Sequence, residues 1–256
     1  MRVLSFDVGT KNLALCDLTV NSEGTHAVNL WAVESCVPSG LNVNETALVD
    51  LVPYFVETLD KNLSTWLKPK YDYILIENQP MGGRGSARNL KTKVLSHVLQ
   101  SHILSWLKKS GIEVKIQFVH PGLKLKEMPK SENGKTSYRA NKLYAVSKTI
   151  EFVSDATKCE TSEMCVKLMS GKKTKKDDLA DAFLQGKYFL ELLMKGDLEV
   201  ILEKSVVIKK KRAPKKTKKM DEVPAALVEV KSEALVVESK LAAEPVKSKK
   251  RGRSSK

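Results

Sequence analysis

The chain has 256 residues, is 42% apolar, and carries 44 Lys and Arg against 30 Asp and Glu, a formal net charge of +14. Length and apolar content suffice for one medium domain with a real core, and the sign of the charge directs partners toward nucleic acid or an acidic surface. Met1 is followed by one basic residue, Arg2, and an apolar run broken by Asp7. Neither a secretory signal nor a membrane span is expected there, and the protein reads as intracellular with no membrane partner. Cys16, Cys36, Cys159 and Cys165 lack CxxC spacing, which argues against a disulfide framework and a zinc ribbon.

In chain order, Val3, Leu4, Phe6 and Val8 predict a core strand closed by the turn residues GTKN, and LALCDLTV (13–20) and HAVNLWAVES (26–35) follow at hairpin spacing. Residues 44–67 place Leu48, Leu51, Val52, Phe55, Val56, Leu59 and Leu63 at three- and four-residue intervals, an amphipathic helix with Pro53 as a candidate kink. YDYILIENQP (71–80) predicts a strand ending in Glu77, and a helix over about 87–109 and a strand over EVKIQFVHP (113–121) come next. Residues 122–137 turn polar and Lys-rich, a loop or lid, before helices over 138–153 and about 177–195. The order predicts an α/β fold whose mixed five-stranded sheet has three antiparallel strands, then parallel ones, flanked by helices.

The basic excess is concentrated at one end. Residues 205–256 hold 16 Lys and Arg against 6 Asp and Glu and no Phe, Trp or Tyr. Such a segment cannot bury enough apolar surface to offset its ordering entropy, so the reading is a folded domain over 1–204 and a disordered basic tail over 205–256. KKKRAPKKTKK (209–219) resembles a nuclear-localisation cluster and would add salt-sensitive affinity for DNA.

Asp7 and Glu77 are the anomalies, because each is a carboxylate at the end of an apolar strand, where ligands bind in open α/β sheets. KKDDLADAF adds Asp178 and Asp181, three apart and therefore on one helix face. Taken alone, DDLAD is equally explained by acids complementing a helix dipole. Four converging carboxylates would repel one another and raise their own pKa values, and Mg²⁺ resolves that conflict. Two such ions, about 3.5–4 Å apart, suit phosphodiester hydrolysis.

FDVGTKN, ILIENQP and KKDDLADAF after a Lys-rich segment resemble, in order and spacing over about residues 1–195, the RuvC-like Holliday-junction resolvases. The poxvirus and iridovirus type is the nearest in pattern, with fungal mitochondrial resolvases more distant. The resemblance implies an RNase H-like fold, a homodimer acting on branched double-stranded DNA, and paired symmetric nicks in a four-way junction. It also implies dependence on Mg²⁺, two ions per site, with Mn²⁺ as a substitute. By motif, Asp7, Glu77, Asp178 and Asp181 would be the metal-binding and catalytic carboxylates, with Asp177 the rival of Asp178. The family's basic residue near the site falls on Lys124, with Lys126 as its rival and DNA-contact candidate. TSYRANKLYAV offers Tyr138, Arg139 and Lys142 as DNA contacts, and GGRGSARNLKTK offers Arg84, Arg88, Lys91 and Lys93 for the phosphate backbone.

A viral origin within this family would place the protein in the nucleus or a cytoplasmic virus factory. The rival functions are a ribonuclease or flap nuclease on the same fold, and a catalytically inactive nucleic-acid-binding module. A sugar-kinase-like phosphotransferase would share the first motif, but the chain lacks the length and the second glycine-rich phosphate loop that such an enzyme needs.

Overall fold

The computed structural model describes residues 1–68, 70–79, 86–129, 137–160, 163–171 and 175–197. The first three strands are β1 (Arg2–Val8), β2 (Asn12–Val20) and β3 (His26–Ser35), followed by α1 (Leu48–Trp66), β4 (Tyr73–Glu77), α2 (Ser86–Ser110) and β5 (Lys115–Val119). A short 3₁₀ helix (Pro121–Leu125) leads to α3 (Tyr138–Val153), the two-residue β6 (Cys159–Glu160), α4 (Glu163–Ser170) and α5 (Lys176–Met194). The strands form one sheet in the order β5-β4-β1-β2-β3-β6. β1, β2 and β3 pair antiparallel, whereas β4 joins β1 in parallel and β5 joins β4 in parallel. That order and polarity match the expected mixed sheet of antiparallel strands followed by parallel ones.

Both faces of the sheet are covered, which explains the near-continuous apolar strands. Leu4, Phe6 and Val8 of β1 and Ile74 and Ile76 of β4 pack with α1 and α2. Val3, Leu75 and Val119 pack on the opposite face, with Leu179, Phe183 and Tyr188 of α5 and Ala145 of α3. Strand alternation puts Ser5 and Asp7 on the α5 face with Val3, and Glu77 there with Leu75. An apolar-to-acid transition at a strand end therefore points a carboxylate at α5.

The approach of α5 to that face depends on Gly186, where a Cβ would lie 2.7 Å from Leu18 Cδ1 and 3.3 Å from Ser5 Cβ. Beside it the Gln185 amide donates to Ser5 Oγ at 3.0 Å and to the Phe6 carbonyl at 3.2 Å. The Trp31 indole N–H donates to the Leu179 carbonyl at 3.0 Å. These contacts set the rotation and height of α5, and hence where its first turns sit. At the far end of the sheet, buried Asp17 accepts from Arg2 at 2.9 and 2.6 Å, from Asn29 at 3.1 Å and from the Tyr71 hydroxyl at 3.1 Å.

Three features depart from the sequence reading. The sheet has six strands rather than five, because Cys159–Glu160 adds in parallel beside His26 and Ala27, and two residues carry no readable alternation. α4 is similarly too short to show a full periodic pattern. The polar stretch after β5 opens with the 3₁₀ turn, capped by His120, whose Nδ1 accepts from the Gly122 N–H at 3.0 Å. Residues 130–136 of that stretch and the whole 205–256 segment lie outside the described residues.

Pro53 lies within α1 without ending it. Leu95, Leu99 and Leu107 of α2 are buried in the core with Val98 and Trp106 partly buried against it, and Trp31, Trp66 and the four cysteines are buried. Among the described residues, no helix is long and apolar enough to cross a membrane.

Candidate active site

The site forms where β1 and β4 end beneath the start of α5. The parallel register that pairs Phe6 with Ile76 brings Asp7 beside Glu77 at the next step. β4 is in turn held by β5, Glu77 opposite Val119, and the Asn78 N–H donates to the Val119 carbonyl at 2.8 Å. From β5 the chain enters the 3₁₀ turn, which carries Lys124 back over the strand ends. Opposite, α5 opens with Asp177 and Asp178 in its first turn, where acids complement the helix dipole, and Asp181 follows on the face of Asp178.

Lys124 is the hub. Its Nζ lies 2.6 Å from Asp181 Oδ2, 3.2 Å from Glu77 Oε2 and 3.8 Å from Asp7 Oδ1. The lysine side chain is 15% exposed and the three carboxylates 16% (Asp7), 6% (Glu77) and 18% (Asp181), so water screens these charges weakly. Burial pushes the Asp7 carboxyl up to about 8, with Lys124 pulling it down and Glu77 pushing it further up. Burial likewise raises Asp181 to about 6 against the opposing pull of Lys124. On Lys124 itself burial acts to lower the pKa, but the three surrounding carboxylates outweigh it and hold the ammonium well above its ordinary value.

Asp178 has a different partner. Its Oδ2 accepts from the Asn12 side-chain amide at 2.9 Å. Asn12 reaches it because of a tight turn after β1: the Gly9 N–H donates to the Asn12 carbonyl at 2.9 Å, and a Cβ on Gly9 would fall 2.9 Å from that oxygen. Burial raises the Asp178 pKa, opposed by the Asn12 hydrogen bond. Asp177 pairs with Lys142, whose ammonium also lies 5.0 Å from the centre of the Tyr138 ring. Burial acts to raise the Asp177 pKa, but the Lys142 hydrogen bond prevails and leaves it lowered.

These groups line one groove of about 470 Å³, together with Thr10, Lys11, Gln79 and Lys175. Oxygens from three separate elements converge within 3.8 Å of a single cationic atom, and a hard divalent cation requires an all-oxygen, anionic donor set of that kind. Asp7, Glu77 and Asp181 thus fit such an ion chemically, with Asp178 beside them. Among the described residues no three carboxylate, histidine or cysteine side chains form a ready-made metal cage, and the point of convergence is taken by the Lys124 ammonium.

The remaining sequence candidates are dispersed. Lys126 is exposed, as are Tyr138 and Arg139 at the start of α3, while Lys142 lines the groove in its pair with Asp177. Lys93 is half-buried on α2. Lys91 is half-buried, its ammonium donating to the carbonyls of Val43, Asn44 and Thr46. Arg88 falls on α2, and Arg84 lies outside the described residues. Asn12 is the side chain in the groove that sequence reading passed over. Its signal was the GTKN turn, whose last residue places an amide directly after the chain reverses beside Asp7.

No family model matches the chain, and no curated protein matches it. Among solved structures, it is similar to the yeast mitochondrial Holliday junction resolvase, at 20% identity over 78% of this chain and 82% of that one, with a TM-score of 0.49. It is also similar to the fowlpox virus resolvase in complex with substrate Holliday junction DNA, at 18% identity over 75% of this chain and 99% of that one, TM-score 0.46. A third similarity is to Thermus thermophilus RuvC in complex with a Holliday junction substrate, at 13% identity over 77% of this chain and 98% of that one, TM-score 0.42.

Proposed function

We propose that the chain is a divalent-metal-dependent endonuclease that acts on branched DNA, resolving four-way junctions as a homodimer by paired symmetric nicks. The observation that carries the reading is the convergence of Asp7, Glu77 and Asp181 on one cationic position at the strand ends, with Asp178 alongside. The ordered resemblance of the FDVGTKN, ILIENQP and KKDDLADAF segments to the RuvC-like resolvases supplies the substrate class.

In this reading Asp7, Glu77, Asp178 and Asp181 hold Mg²⁺, or Mn²⁺ in its place. When bound, the metal supplies an activated water and charge neutralisation at the leaving oxygen of an in-line displacement. The strands fix Asp7 and Glu77 rigidly, so little reorganisation is needed on binding. Asn12 orients the Asp178 carboxylate. Lys124 balances the carboxylates while they are unligated, and its ammonium, on a short turn at the groove, is placed to stabilise charge on the scissile phosphate. Exposed Tyr138 and Arg139, with Lys126, contact the DNA backbone at the rim, and the basic 205–256 segment adds nonspecific affinity and a nuclear-localisation signal.

The test is incubation of the full chain with a labelled four-way junction, a matched duplex and an RNA–DNA hybrid, in Mg²⁺ or EDTA, beside Asp7→Asn. Symmetric Mg²⁺-dependent nicks confined to the junction, lost in the variant while binding persists, are the expected result. Cleavage of the hybrid instead would assign a ribonuclease, and junction binding without cleavage in Mg²⁺ or Mn²⁺ would assign an inactive binding module.

A further inference from the structure

One wall of the groove is made by a segment with no regular structure. Val43 and Asn44, in the connection between β3 and α1, line the same groove as Asp7 and Glu77, while Asn89 and Thr92 of α2 line it from beside them. A short polar loop in that position would ordinarily be among the most mobile parts of a domain. Here it is closed on itself around Asn42, whose carbonyl accepts from the Glu45 and Thr46 N–H groups at 3.1 and 3.0 Å and from the Thr46 hydroxyl at 2.8 Å. The Asn42 side chain accepts from the Asn44 N–H at 3.2 Å.

Three carbonyls of the loop converge on one external cation. Lys91 Nζ, from α2, donates to Thr46 O at 2.7 Å, Val43 O at 3.0 Å and Asn44 O at 3.2 Å. An ammonium has three protons, and all three are engaged, so none remains for a phosphate. Lys91 sits half-buried between the loop and its helix, whereas the Asn44 side chain remains exposed at the groove.

We propose that Lys91 is a positioning residue that locks residues 42–46 as a fixed wall of the substrate groove, and that Asn44 on this wall contacts the sugar–phosphate backbone of the bound nucleic acid. The inference rests on the nuclease reading for the identity of the ligand, but not for the rigidity of the wall. It differs from a direct phosphate contact in a measurable way. A lysine that neutralises a phosphate contributes to counterion release, and its removal reduces the salt slope of binding by about one. A lysine bound to carbonyls of its own chain contributes nothing to that slope.

The experiment compares wild type, Lys91→Met, Lys91→Arg and Asn44→Ala as full chains, using amide hydrogen exchange without DNA and four-way-junction binding in EDTA across a salt series. Lys91→Met is expected to speed exchange at residues 43–47 by about tenfold or more, with the core strands unaffected, and to weaken binding by about five- to tenfold at an unchanged salt slope. Lys91→Arg, whose guanidinium can still donate to several carbonyls, is expected to recover most of both effects. Asn44→Ala should weaken binding without faster exchange. A slope reduced by about one with exchange unchanged would overturn the proposal in favour of a phosphate contact. Faster exchange with unaltered binding would equally overturn it, by removing the wall from the binding surface. Exchange is read without substrate, so a wild type that cleaves no DNA would count against the nuclease reading and leave the rigidity result standing.

Discussion

Replacing Lys124 by methionine keeps most of the side-chain volume and deletes the charge. Three carboxylates, at 2.6, 3.2 and 3.8 Å, then lose their shared cation in a place where all four side chains are less than one-fifth exposed. Removing one partner of a buried ion pair typically costs about 3–5 kcal/mol, because the remaining charge is left uncompensated. That figure applies only where the carboxylates are ionised. Asp7, raised by burial to about 8, holds at neutral pH a proton that the unfolded chain has released, and Asp181, raised to about 6, keeps its proton up to about that pH. The folded state therefore binds more protons, so this cluster lowers stability as pH rises from the unfolded carboxylate range toward 8.

Without Lys124 both pKa values rise further, and the variant's deficit grows with pH. The expected loss is about 3–5 kcal/mol at pH 8 and smaller at pH 5, where Asp7 and Asp181 are largely protonated. Urea unfolding at the two pH values, with EDTA and with millimolar Mg²⁺, reads this directly. An ion at about one hundred times its dissociation constant returns about 2.7 kcal/mol to the folded state, so Mg²⁺ should recover much of the deficit at pH 8. A deficit equal at both pH values, or one that Mg²⁺ leaves untouched, would refute the reasoning.

Gly186→Val should destabilise the fold by about 1–3 kcal/mol through overpacking, since a Cβ already lies 2.7 Å from Leu18 Cδ1, and should lower junction cleavage by shifting the helix that carries Asp178 and Asp181; thermal unfolding and a cleavage time course test both. Asp17→Ala leaves the partly exposed Arg2 guanidinium without its carboxylate at the opposite end of the sheet, while the Tyr71 hydroxyl keeps the Trp66 carbonyl, an expected loss of about 1–3 kcal/mol in chemical denaturation with the site's metal affinity unaltered. Asn12→Leu removes the donor that opposes burial at Asp178, so the rise of cleavage rate with pH should move to higher pH, and an unmoved profile would show that the amide does not set that carboxylate's ionisation.

Much of this arrangement was legible because the chain marks it by contrast. Strands covered on both faces are apolar throughout, so Asp7 and Glu77 stand out where a half-exposed strand would have hidden them in its alternation. The three-residue spacing of Asp178 and Asp181 fixes their common face on any helix. What was not legible depends on contacts far apart in sequence. Asn12 meets Asp178 across 166 residues, and nothing local to either names the other. Lys91 is indistinguishable in sequence from a phosphate-binding lysine until the carbonyls of residues 43–46 are seen around it, because composition carries no record of main-chain acceptors. β6 escaped notice for a different reason, since a two-residue strand exists only through its neighbour.

The most direct measurement is the count of Mn²⁺ ions bound at pH 8, by electron paramagnetic resonance titration of wild type, Asp7→Asn and Asp181→Asn. Saturable binding by the wild type that is weakened at least tenfold in both variants, with their folds intact by circular dichroism, is the predicted result. Binding that both variants retain at wild-type affinity would contradict the assignment of these carboxylates as the metal site and, with it, the proposed chemistry.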